Sequence, residues 1–76
     1  MNSYTEITVP GIVRYRDREL QCERCPLSSG LTFVCERQRV TKFWCPNNHT
    51  SPVPARTSAA DLFEIVSAAP GRIADR

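Results

Sequence analysis

"CERCPLSSGLTFVCERQRVTKFWCPNNH", Cys22 to His49, holds all four cysteines and the single histidine of a 76-residue chain. Its ends are two short pairs, Cys22 and Cys25 with two residues between them, and Cys45 and His49 with three. Nineteen residues separate the pairs. Two such pairs about 15–20 residues apart have the spacing of a structural zinc site. Each pair can sit on one tight turn and reach a single ion at about 2.0–2.3 Å, and two turns brought together complete a tetrahedron. Three thiolates and one imidazole suit zinc, and four protein ligands leave no position for a reacting water. Iron in an all-thiolate site would want a cysteine where His49 stands. Cys35 alternates with Leu31 and Phe33 in "LTFVC" and is expected in the core as a small apolar side chain. It is also the alternative to His49 as fourth ligand.

The size of the chain says why a metal is needed. A compact domain this short buries only a little over about 60% of its surface, so its core is marginal and wants a staple. The apolar and charged shares are ordinary, which excludes disorder as the default. The first residues, "MNSYTEITVPG", carry no basic region followed by an apolar one, and no run approaches a membrane span. The expectation is an intracellular, cytoplasmic chain without membrane contact, where thiols stay reduced and bind metal rather than pair. Disulfides are the alternative for an exported chain. A redox Cys-x2-Cys needs a larger framework than this length can build.

Periodicity places the ligands on β structure. "EITV" is a short extended piece closed by the turn signal Pro10-Gly11. "IVRYRDRELQC" alternates and reads as one strand, with Val13 and Tyr15 on one face and Arg14, Arg16 and Arg18 on the other. "LTFVCE" and "VTKFWC" are further strands. The reversal between them is expected at Arg37–Arg39, although no Gly, Asn or Asp marks it. "TSPVPARTS" reads as a linker or edge strand because of its prolines. "SAADLFEIVSAAPG" has Leu62, Phe63, Val66 and Ala69 at helical spacing, a Ser58-x-x-Asp61 capping box, and a stop at Pro70-Gly71.

The two knuckles, "LQCERCP" and "FWCPNNHT", resemble those of the zinc-ribbon family, over roughly Arg16 to Pro54. Both bring an apolar residue up to a cysteine and place a proline directly after one. The sequence departs from the commonest ribbon in using His49 with one extra residue, and in lacking glycine after the second ligand. The resemblance implies two Cys-containing turns, each at the end of a β-hairpin, clamping one structural Zn2+. It also implies a place in a transcription, replication or translation machine. The expected fold is therefore a small zinc-stabilised antiparallel β domain over residues 1–56 (core 13–54), an amphipathic C-terminal helix over 57–70, and a short tail over 71–76.

Residues 14–56 carry eight basic side chains against four acidic ones, a net +4 in a chain whose formal net charge is +2. Arg14, Arg16, Arg18, Arg37, Arg39 and Lys42, with Trp44 to stack a base, form the expected contact with DNA or RNA. The bland alternative is a solvated strand face. Phe43 and Trp44 point to opposite faces, one core and one exposed. Leu62, Phe63 and Val66 either pack on the sheet or dock on a protein partner or second copy. With the only histidine assigned, no Ser/His/Asp set and no glycine-rich phosphate loop, neither an enzyme nor a small-molecule substrate is expected.

Overall fold

Alternating apolar side chains build the sheet on which the site stands. A computed structural model describes residues 4–69 and the backbone of residues 72–75. Pro70-Gly71, expected as the helix stop, lies outside the described residues. Five strands pair antiparallel in the order β6-β5-β4-β1-β7, formed by β1 (Thr5–Ile12), β4 (Ser29–Glu36), β5 (Arg39–Trp44), β6 (Thr50–Pro52) and β7 (Arg72–Asp75). A separate two-stranded hairpin joins β2 (Arg14–Tyr15) to β3 (Arg18–Glu19). Helix α1 (Ala59–Ala68) packs chiefly on β5. The molecule is thus a small antiparallel β-sheet domain with a helix near its C-terminus. Among the described residues no helix is long and apolar enough to cross a membrane.

One face of the sheet is the core. Ile7 and Val9 on β1, Leu31, Phe33 and Cys35 on β4, and Val40 and Phe43 on β5 all turn inward and are buried. Phe33 and Phe43 are cross-strand partners, and their rings pack tilted with centroids 5.4 Å apart. Leu62 and Val66 close this face from above and are both 0% exposed. Of the two roles expected for these side chains, the structure shows the packing one: Leu62 and Val66 are buried in this chain's own core, and Phe63 is half-buried against it. Pro52 ends the edge strand β6, where a missing N–H breaks no interior ladder.

Three local expectations change. Pro10 and Gly11 do not close β1. They form a bulge, because Val9 pairs with Leu31 and Ile12 next pairs with Ser29, leaving one extra residue on β1. The run "IVRYRDREL" is not one strand. Arg16 adopts a left-handed φ of 56° and reverses the chain, so Arg14, Arg16 and Arg18 do not form a straight ladder. Residues 72–75, read as tail, form β7 and pair with β1. The reversal at Arg37-Gln38 is where it was expected, and both residues have positive φ, at 53° and 63°. That geometry matches the strand twist but is ordinarily left to Asn and Gly, which is why the residues did not announce it.

The helix start is half as expected. The Ser58 Oγ accepts from the Asp61 backbone N–H at 3.3 Å. The reciprocal bond of a capping box is absent among the described residues. The Ser58 N–H instead donates to the Tyr15 hydroxyl at 3.2 Å, which ties α1 to the β2–β3 hairpin.

Candidate metal centre

Two turns bring four donors together. The Cys45–His49 turn links β5 to β6, so it does sit at a hairpin end. The Asn48 N–H donates to the Cys45 carbonyl at 2.8 Å, and the Cys45 N–H donates to the His49 carbonyl at 3.1 Å. Pro46 takes the second turn position, which its fixed φ suits, and Asn48 takes the left-handed one at φ 65°. Gly30 on β4 backs onto this turn. Its φ is 70°, and a Cβ there would meet Pro46 Cγ at 3.2 Å, so only glycine fits without strain.

The Cys22–Cys25 turn departs from the ribbon pattern. It lies in the connection from β3 to β4, which are not paired with each other, and is closed by the Cys22 N–H donating to the Leu27 carbonyl at 3.0 Å. Ser51 holds it in place. That side chain is 1% exposed, and its Oγ accepts from the Glu23 N–H at 3.4 Å, so β6 of one turn grips the backbone of the other. Sequence reading missed Ser51. The available signal was period two in an extended run, which puts residue 51 on the same side as His49.

The ligand atoms of Cys22, Cys25, Cys45 and His49 all lie within 4.8 Å of one another. The Cys25 and Cys45 Sγ atoms are 3.6 Å apart, and the Cys22 Sγ is 3.8 Å from the His49 Nδ1. A tetrahedron with sulfur about 2.3 Å from its centre has edges of about 3.8 Å. The four residues are therefore placed to bind one metal ion. Cys22 and Cys45 are buried, and Cys25 and His49 are half-buried. All four cysteines of the chain are free.

The electrostatics favour ligation. Burial alone would push the Cys22 thiol up, but the Arg24 N–H aimed at its sulfur at 3.4 Å and the thiols of Cys25 and Cys45 outweigh it, holding it down at about 6. Cys22 is thus a thiolate at neutral pH, the form that binds metal. Burial raises the Cys25 thiol, and the neighbouring sulfurs add to that, so a cation is needed to draw its proton off.

Cys35 stands outside the cluster. It faces the core beside Phe33, its Sγ donates weakly to the Phe33 carbonyl at 3.8 Å, and burial pushes its thiol up to about 11. Its sulfur is not among the donor atoms gathered within 4.8 Å of one another. His49, not Cys35, completes the set. Cys35→Ala is expected to keep full metal content and to cost on the order of 1 kcal/mol of packing. Metal analysis beside a denaturant melt checks this, with His49→Ala as the variant expected to lose metal.

The expected nucleic-acid residues lie on separate elements. Arg14 leaves the group by pairing with Glu19 at 3.0 Å, both side chains exposed. Arg16 and Arg18 lie on the β2–β3 hairpin beyond Ile12, whereas Arg37 and Arg39 stand at the β4–β5 turn. Of the two aromatics, Phe43 is core and Trp44 is the half-buried one, on the sheet face that α1 does not cover. There Lys42 and Trp44 line a shallow depression with Tyr4, Val34, Glu6 and Glu36. The chain matches no protein-family model, no curated protein and no solved structure. Its own geometry therefore carries the assignment.

Proposed function

We propose that this chain is a zinc-ribbon-like module whose zinc is structural, and that it acts without catalysis by binding nucleic acid or a nucleic-acid machine. One observation carries the metal half: a soft three-thiolate, one-imidazole donor set at tetrahedral edge distances, complete without water. Zinc is the common ion that prefers this set and geometry, and a closed site stabilises rather than reacts.

The binding half is supported by Trp44 and Lys42. They stand on the open sheet face with Arg39 on the same strand, an aromatic platform beside positive charge. A second reading is favoured by one feature of that face. Glu6 and Glu36 flank Lys42 and temper the attraction for a polyanion, and Tyr4, Val34 and Trp44 add apolar area, which suits a protein partner. The helix no longer supports that reading, since Leu62 and Val66 are buried.

Trp44 is the only tryptophan, so its fluorescence reports this face directly. A single-stranded oligonucleotide is expected to quench it saturably, and affinity should fall steeply with salt, by a slope of about −0.7 per phosphate contacted. Lys42→Gln should flatten that slope by about one contact. Absence of quenching and of a gel shift with DNA and RNA at low salt would remove the nucleic-acid reading and leave the protein-partner one.

A further inference from the structure

Away from the metal and the open sheet face, three arginines line one small pocket. It measures about 220 Å³ and is lined by Tyr15, Arg16, Asp17, Arg18, Arg56 and Thr57. Arg16, Asp17 and Arg18 come from the β2–β3 turn, and Arg56 and Thr57 from the segment that leads into α1. Tyr15, 6% exposed, lies at the base. Its ring sits 5.7 Å from the Arg16 guanidinium, and its hydroxyl bonds the Ser58 N–H, so the two segments are fixed to each other. Nothing in the sequence alone brings residue 56 next to residues 16 and 18.

The charges of this pocket are not spent on each other. Among the described residues, none of Arg16, Arg18 and Arg56 lies within ion-pair distance of a carboxylate, although Asp17 shares the pocket. Asp61 and Glu64 stand on the far side of Arg16, along the helix. Three cations therefore face one anion across a concave site, a field that concentrates negative ligands. The Thr57 hydroxyl adds a donor with no protein partner among the described residues.

A second observation concerns the backbone. Arg16 and Arg56 both have left-handed φ, 56° and 64°. Side chains other than Gly, Asn and Asp seldom occupy that region, and an arginine gains nothing from it locally. The β2–β3 turn has the sign pattern, positive φ at its first residue only, for which glycine is the usual choice. Of the three arginines in the left-handed region, Arg16, Arg37 and Arg56, two line this pocket.

We propose that this pocket binds one phosphate group. Guanidinium forks match phosphate oxygens in geometry and charge, and convergent arginines are the usual protein answer to that ligand. The phosphate belongs either to a free or small-molecule source or to a nucleic-acid backbone. Only the second source rests on the nucleic-acid reading above.

The test uses the whole metal-loaded chain. Inorganic phosphate is titrated against ¹⁵N-labelled protein at fixed ionic strength and neutral pH. Saturable amide shifts are expected at Arg16, Asp17, Arg18, Arg56, Thr57 and Ser58. Arg18→Gln and Arg56→Gln should each weaken binding about tenfold or more, the loss of one charge-assisted hydrogen bond, while Arg37→Gln should change nothing. Arg16→Gly separates function from fold: it should raise Tm by relieving the left-handed residue and still weaken phosphate. Absence of saturable shifts, or equal affinity in wild type, Arg18→Gln and Arg56→Gln, overturns the proposal. An oligonucleotide titration then assigns the source. Phosphate bound without oligonucleotide bound keeps the pocket and removes the polymer. Oligonucleotide binding that depends on Lys42 alone, with no phosphate shifts, keeps the nucleic-acid reading and removes the pocket.

Discussion

Stripping the metal is expected to unfold this protein. A structural zinc contributes on the order of 10–16 kcal/mol to folding at neutral pH, and an ordinary domain has only about 5–15 kcal/mol of total stability. The ligand turns carry more than the ion. Cys22 and Cys45 belong to the core cluster, and Ser51 and Gly30 lock the turns onto β6 and β4. Without the cation, Cys25 takes back its proton and thiols crowd together at 3.6 Å with no charge to bind them. A chelator titration followed by circular dichroism should show one cooperative loss of structure, coincident with release of one metal ion per chain. Cys45→Ser and His49→Ala should behave as the chelated protein does. A chain that stays folded and holds no metal after chelation would overturn the structural role.

Acid should act as the chelator does, because protons compete for the ligands. The sign follows from the thiols. The folded-state value of Cys22, about 6, lies below the ordinary 9, so the stability it contributes is complete above pH 9 and is lost as pH falls through 6. Cys25 is raised, so on acidification it takes up its proton before Cys22 does. Metal affinity is therefore expected to fall continuously from neutral pH downward.

Leu62→Ala should carry the second large effect, a loss of about 2–5 kcal/mol at saturating metal. Leu62 is 0% exposed and sits with Val66 above the sheet core, so truncation opens a cavity that the strands beneath cannot collapse to fill. For a domain of this size each kcal/mol moves Tm by about 4–8 °C, so the midpoint should drop by ten degrees or more. Phe63→Ala, at a half-buried position, should cost less. Were Leu62 a docking residue instead, its truncation would leave the isolated chain's melt unchanged and abolish only an interaction. The denaturation curve decides between the two.

Much of the metal site was legible because ligand spacing is a local property. Two donors three or four residues apart can share an ion only across a tight turn, whatever the rest of the chain does. Alternation likewise placed Leu31, Phe33 and Cys35 on one face, and Cys35 proved to be core for that reason. The Ser58 cap and the apolar stripe of α1 are local signals too. The failures share a cause. Arg16 carries no mark of a turn, so "IVRYRDREL" reads as a strand with three arginines in a row. Residues 72–75 read as tail because their strand exists only by pairing with β1.

The sequence by itself determined three donors and left His49 against Cys35 for the fourth, and it determined the pairing of the two knuckles, the inward face of the central strands and the helix with its cap. Each of these is encoded in residue type and in spacing over a few positions. Tertiary structure alone decided that α1 spends Leu62 and Val66 on the sheet, that Ser51 joins the knuckles, and that the basic residues divide between the β2–β3 hairpin and the β4–β5 strands. It also decided that Arg56 meets Arg16 and Arg18 around one pocket. The reason is physical. Burial energy is gained between residues distant in sequence, and it can hold an arginine in a left-handed turn that its own side chain would never specify.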